Sequence, residues 1–184
     1  VRERTRAAVD SIARSTWIDV GYRDREHSEH WRDEAAALSW AYLSALDPTF
    51  EPFGRERDLG ARSDVVTIRG RIDRLDQVGD DREVAVIDYK TGRTVPTVDD
   101  ARSSIALAAY VQCVRQSLRR PCTRVELHHV PTGHVVVWEH SEESLARHAR
   151  RLDAIGTDPA LAEFEGRTDL VALGSRLVLW DRRF

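Results

Sequence analysis

The sequence predicts an α/β domain in which helices flank one mixed β-sheet. Three features predict it. The apolar period is helical up to Pro48, changes to the two-residue alternation of strands between residues 50 and 89, and becomes helical again after Pro96. Two more short alternating segments, 124–130 and 135–138, are joined by the turn Pro131-Thr132-Gly133. The chain has 184 residues, 41% of them hydrophobic, a length that suits one domain with a full core rather than two.

Taken in order, residues 2–14 read as a helix with a narrow stripe of Ala8, Val9 and Ile12, followed by an irregular segment in which Trp17, Ile18 and Val20 pack. Ser28 reads as the cap of a second helix. Its Trp31, Ala35, Leu38, Tyr42 and Leu46 recur at helical spacing until Asp47-Pro48 ends it. Residues 1–48 are therefore expected to form an N-terminal helical segment packing on a core of residues 49–184. Within that core, 50–59, 65–75 and 84–89 read as an antiparallel meander, with Gly79-Asp80-Asp81 supplying the turn before the third strand. Asp99-Asp100 open a long helix to Leu118 with a wide apolar arc suited to covering the sheet. After the second strand pair, Ser141, Glu142 and Glu143 look like the capped, acidic start of a helix carrying Leu145, His148, Ala149 and Leu152 inward. A short helix, a loop and the apolar segment 177–180 complete the chain.

Composition excludes several classes of function. A charged fraction of 32% with a net charge of −3 is incompatible with a uniformly basic nucleic-acid surface, although it permits a local arginine stripe. No apolar run approaches the ~20 residues that span a bilayer, and the N-terminus lacks a signal-peptide pattern, so the expectation is a soluble, cytoplasmic protein without a membrane partner. Cys113, on a helix, and Cys122, at the start of a strand, are too few for a disulfide framework or a zinc knuckle and read as reduced. The chain begins with Val1 and contains no methionine, which suggests a fragment of a longer polypeptide.

The chemistry concentrates between Arg69 and Arg93. Lys90 is the only lysine, although lysine and arginine together number 28. Where arginine serves every other cationic position, a retained lysine offers a compact ammonium whose pKa shifts readily. In a strand, Asp88 and Lys90 project to the same side with the Tyr89 carbonyl between them, and hairpin pairing brings Asp73 close to Asp88. Two carboxylates and a carbonyl are hard oxygen ligands that suit a Mg²⁺ ion keeping several waters. Glu56, on the preceding strand, could add a carboxylate. The alternative is an exposed hairpin in which Asp73 pairs with Arg71 or Arg74 and Asp88 with Lys90. His27 and His30 share a helical face but have no third ligand in view, and His128 and His129 point to opposite faces of a strand.

The stretch GRIDRLD, followed by VIDYKTGR, resembles the PD-(D/E)XK nuclease superfamily, and within it the RecB-like exonuclease domains. The resemblance runs from about Phe50 to about Arg182. It implies a restriction-endonuclease-like core and a metal-dependent deoxyribonuclease acting in DNA repair or recombination. Asp73, Asp88 and the Tyr89 carbonyl would be metal ligands for Mg²⁺ or Mn²⁺, and Lys90 the catalytic lysine. DNA would be the substrate, and a helicase or another domain of a longer polypeptide the partner. Arg71, Arg93 and Arg102, near the proposed cleft, are candidate phosphate contacts with a solvated surface as the alternative for each, and Tyr110 is a DNA contact or a core aromatic. In such nucleases the following helix carries Q-x-x-x-Y; here Tyr110 matches and Ala106 replaces the glutamine. Val178 and Asp181 stand where many relatives have cysteines, so no iron–sulfur cluster is expected, and Val178, Leu179 and Trp180 are expected to pack on the domain instead. These departures keep a second reading open: a degenerate nuclease fold serving DNA binding or protein interaction. A phosphotransferase or other metal-dependent hydrolase is more distant, since no phosphate-cradling glycine loop is present.

Overall fold

The computed structural model describes residues 4–63, 65–79 and 82–157, and the backbone alone of 170–172 and 177–181. Helix α1, Arg6–Thr16, is capped by Thr5, whose hydroxyl accepts from Ala8 N–H. Helix α2, Arg25–Ser44, begins three residues before the predicted cap. Asp24 is the stronger signal: its carboxylate accepts from His27 N–H at 2.8 Å, and Glu26 adds favourable charge in the first turn. Ser28 is instead buried inside the helix, where its hydroxyl accepts from the Trp17 indole N–H at 2.9 Å. The intervening segment packs only in part, since Ile18 and Val20 are 74% and 83% exposed.

Strands β1 (Gly54–Arg62), β2 (Val66–Val78) and β3 (Glu83–Lys90) form the predicted antiparallel meander. The predicted long helix is two helices, α3 (Val98–Ser103) and α4 (Ile105–Leu118). Ser104 separates them. Its ψ of 113° leaves the helical region and its hydroxyl caps α4 by accepting from Leu107 N–H, the local competition that makes serine a poor interior residue. Thr97 and Asp100 close a reciprocal capping box on α3. Then follow β4 (Arg124–His129), β5 (His134–Glu139), and α5 (Glu142–Gly156), which Ser141 caps as predicted. Strands β6 (Leu170–Ala172) and β7 (Leu177–Asp181) close the chain. The short helix expected after Gly156 and the packing of the Val178, Leu179 and Trp180 side chains lie outside the described residues.

Seven described strands form one sheet in the order β5-β4-β3-β2-β7-β6, with β1 on β2. It is mixed. Val84 N–H donates to the Pro121 carbonyl and Val130 N–H to the Lys90 carbonyl, so residue numbers rise together and β3 runs parallel to β4. The last helical residue, Gly156, meets β2 so closely that a Cβ there would run into Val66 Cγ1.

The chain divides into two compact units. One comprises Val1–Glu51, Lys90–Val95 and His129–His134. Here the segments after β3 and β4 are tied together by the Val130–Lys90 backbone bond at 2.9 Å and by a 2.7 Å bond between His129 Nε2 and the Gly92 carbonyl. The other unit, Pro52–Tyr89, Pro96–His128 and Val135–Phe184, holds the apolar core, in which Leu107, Val111 and Val114 of α4 lie with Ile72, Leu75, Val84 and Val86 of the sheet. Cys113 and Cys122 are buried there, and burial pushes both thiols up to about 12, which leaves neither as a thiolate nucleophile.

The core unit also buries two imidazoles, His140 and His148, edge to face with centroids 5.5 Å apart. His140 Nδ1 bonds Ser144 Oγ at 3.0 Å, and His148 Nε2 donates to the Arg102 carbonyl at 3.2 Å. Burial, with His148, Arg115 and Arg147 nearby, pushes His140 down from 6.5 to about 4, and burial likewise lowers His148. An unfolded chain therefore binds more protons than the folded one as pH falls below about 6.5. This contribution to stability is complete above that pH and is lost progressively toward pH 4. For His140 it is on the order of 3 kcal/mol. Thermal unfolding followed between pH 7.5 and 4.5 is expected to show a falling midpoint, and His140→Leu to flatten the fall; an unchanged slope in that variant would contradict the assignment.

Candidate functional site

The register along β2 places Asp73 where its neighbours part. On one edge β1 pairs with residues 67–75, matching Arg55 with Arg74 and Arg57 with Ile72; the step between, Glu56 against Asp73, is skipped. Glu56 has a φ of 47°, a left-handed conformation that costs a non-glycine residue about 1–3 kcal/mol. The other edge is shared by two strands, since β7 takes residues 66–70 and β3 takes 74–78. Residues 71–73 lie in the fork. One step beyond the last β2–β3 pair, Arg74 with Ile87, Asp73 stands opposite Asp88. There Tyr89 N–H donates to Asp73 Oδ2 at 3.0 Å. A carboxylate thus enters the ladder where the strands separate, and both aspartates are half-buried.

The reverse face holds this hairpin in place. Arg74 and Asp76 alternate with Asp73 and so point the other way. Arg74 Nε and Nη2 grip the Asp76 carboxylate at 2.5–3.0 Å, and Nη1 donates to the Tyr89 hydroxyl at 3.1 Å. Burial opposes the charge on Arg74, but the bonds to Asp76 and Tyr89 outweigh it and the guanidinium pKa is raised. The polar row continues onto β4. The Tyr89 ring meets His128 edge-on at 6.1 Å, and Glu126 accepts from His128 Nε2 and from Arg124 Nε, each at 2.7 Å. The bond from His128 is the main cause holding the Glu126 carboxyl below its ordinary range, with Arg124 adding to it. Sequence reasoning missed this latch. Its signal is the repeated i, i+2 spacing, Arg74/Asp76 and Arg124/Glu126/His128, which puts opposite charges on one strand face.

Lys90 is exposed and ends β3. Glu56 lies 3.8 Å from Arg71 Nε, and Arg71 also binds Asp58 through Nε and Nη2 at 3.2 Å. Among the described residues no three His, Cys, Asp or Glu side chains converge as a metal-binding group. Arg93 and Arg102 are exposed; Arg102 pairs with Asp99 at 3.0 Å. Tyr110, expected as a DNA contact, is 5% exposed within the apolar core, because its turn of α4 faces the sheet. His27 is fixed in an aromatic cluster, where its Nε2 accepts from the Trp31 indole at 2.8 Å.

The donor chemistry of Asp73, Asp88 and the Tyr89 carbonyl, all hard oxygens, fits a Mg²⁺ or Mn²⁺ ion that leaves positions for water and phosphate. The family described as the PD-(D/E)XK nuclease superfamily matches the chain over residues 2–165. Its members in general hydrolyse phosphodiester bonds, usually with divalent metals, and the mixed sheet with flanking helices is consistent with their restriction-endonuclease-like α/β fold. Among curated proteins none matches the chain. No described helix is long and apolar enough to cross a membrane.

Proposed function

The chain belongs to the PD-(D/E)XK nuclease superfamily, and from that premise we propose that it is a RecB-like, metal-dependent deoxyribonuclease centred on Asp73, Asp88 and Lys90. The observation that carries this reading is the fork in β2, where Asp73 leaves the ladder opposite Asp88 and takes the Tyr89 N–H. Asp73, Asp88 and the Tyr89 carbonyl would hold Mg²⁺ or Mn²⁺, with water and a substrate phosphate completing its shell. When bound, the cation supplies charge that polarises a phosphoryl oxygen and makes water more acidic.

The protein's own groups do the rest. Two residues after Asp88 on an extended strand, the Lys90 ammonium projects to the same side, where it orients the attacking water and stabilises charge developing on the phosphate. Asp73 is oriented by the Tyr89 N–H, and the Arg74–Asp76–Tyr89 latch keeps that strand from sliding. Arg93 and Arg102 are phosphate contacts, while Arg71 reaches DNA only by exchanging Asp58 for it. In the RecB-like reading the domain works in DNA repair or recombination, joined to a helicase or another domain.

After treatment with EDTA the protein is expected to leave labelled single- and double-stranded DNA intact, and Mg²⁺ or Mn²⁺ to raise cleavage at least about 10²-fold. Cleavage that survives chelation would contradict the proposal. A second reading, a degenerate domain that binds DNA or protein without cutting, is favoured by Ala106 in place of the motif glutamine and by Val178 and Asp181 where many relatives have cysteines. It predicts DNA binding with no cleavage under any metal.

A further inference from the structure

The unit formed by Val1–Glu51, Lys90–Val95 and His129–His134 contains a cavity of about 430 Å³ that the proposed chemistry does not use. Trp17, Tyr22 and Trp31 line it, with Glu34, Ser39 and Thr91. We propose that this cavity takes an unpaired nucleobase of a single-stranded DNA substrate, stacked on the aromatic rings.

Three observations carry the proposal. The rings are held before any ligand arrives. Trp17 donates to Ser28 Oγ at 2.9 Å and lies under Tyr22, with centroids 5.5 Å apart and planes 26° apart. Trp31 donates to His27 Nε2 at 2.8 Å, and the His27 ring sits edge-on to both Tyr22 and Trp31. Trp31 is also 38% exposed, so part of this fixed aromatic surface is open to a ligand. A fixed, open aromatic surface costs little to order on binding, and base stacking on such surfaces tolerates any sequence.

Second, the cavity has polar groups suited to a base edge. The Glu34 carboxylate and Ser39 hydroxyl line it and have no hydrogen-bond partner among the described residues. A carboxylate accepts from the N–H groups on a base edge, whereas it would repel a phosphate. Third, the wall is continuous with the chain segment that follows Lys90. Thr91 lines the cavity, Val130 and Pro131 do so beside it, and Val130 N–H holds the Lys90 carbonyl. Arg93, two residues further on, is exposed and has no partner among the described residues, so it can take the phosphate of a nucleotide whose base is in the cavity. The inference rests on the nuclease reading for the identity of the ligand, and it gives that reading a preference for single strands, because a paired base cannot enter.

The test uses binding rather than cutting. In EDTA, a single-stranded oligonucleotide is expected to quench tryptophan fluorescence, and the same sequence as a duplex to quench it little. Trp31→Ala is expected to weaken single-strand binding roughly tenfold, Trp31→Phe to retain most of it, and Glu34→Ala to weaken it several-fold, all with unchanged circular dichroism. An oligonucleotide of abasic sites is expected to bind wild type no better than Trp31→Ala. If the abasic strand binds wild type as well as the normal one, or Trp31→Ala binds like wild type, the proposal is overturned even where metal-dependent cleavage persists. If tetramethylammonium competes with the oligonucleotide while its duplex binds equally, the cavity is a cation cage and the proposal is again overturned. Base-dependent binding in a protein that no metal makes cut DNA would support this inference while removing the nuclease reading.

Discussion

Lys90→Ala is expected to lower DNA cleavage about 10²–10³-fold, the loss that follows when one preorganised donor to a developing charge is removed, while the fold is unaffected. Lys90 is exposed at the end of β3, and its backbone carbonyl, which accepts from Val130 N–H, remains in any variant. A surface substitution of this kind changes stability by about 0.5 kcal/mol or less. Lys90→Arg is expected to fall nearly as far as Lys90→Ala, since a planar guanidinium cannot take the place of a compact ammonium at a single phosphoryl oxygen. Single-turnover cleavage and thermal unfolding on the same preparations check this. Full activity in Lys90→Ala would remove the lysine from the mechanism, and a large fall in unfolding temperature would make its role structural.

The second large effect separates the proposed metal-ligand role of Asp73 from its bond to Tyr89 N–H. In Asp73→Asn the amide oxygen can still accept from Tyr89 N–H, so stability is expected to stay near wild type while cleavage drops at least about 10²-fold with the lost ligand charge. In Asp73→Ala the same N–H loses its acceptor, and about 1–2 kcal/mol of stability goes with it. The pair of variants therefore shares a catalytic defect and differs in unfolding midpoint. Equal midpoints would show that the bond to Tyr89 contributes nothing, and cleavage retained in Asp73→Asn would remove Asp73 from the metal site.

The central hairpin was legible because its period is two: alternation marks β2 and β3, and the same alternation sends Arg74 away from Asp73 and toward Asp76. The caps at Ser141 and Thr97 follow local rules and are readable from a few residues, although Thr97 is overshadowed by the two aspartates behind it. The break at Ser104 was not readable. Its neighbours keep a continuous apolar arc, and only the bond from Leu107 N–H shows that the serine side chain has replaced a helical carbonyl. Nor was the fork, since the pairing of β7 with residues 66–70 joins segments more than a hundred residues apart. The Arg74–Asp76 pair could have been foreseen from strand alternation, which rules out Arg74 as a partner for Asp73. Tyr110 shows the opposite hazard: a motif match sits on the helical face that the core buries.

The most direct measurement is a Mn²⁺ titration of wild type and Asp88→Asn, followed by electron paramagnetic resonance of the free ion. One saturable site in wild type, weakened at least about tenfold in Asp88→Asn, is the predicted result for a cation held between Asp73 and Asp88. Equal binding in both proteins, or none in wild type, would contradict it.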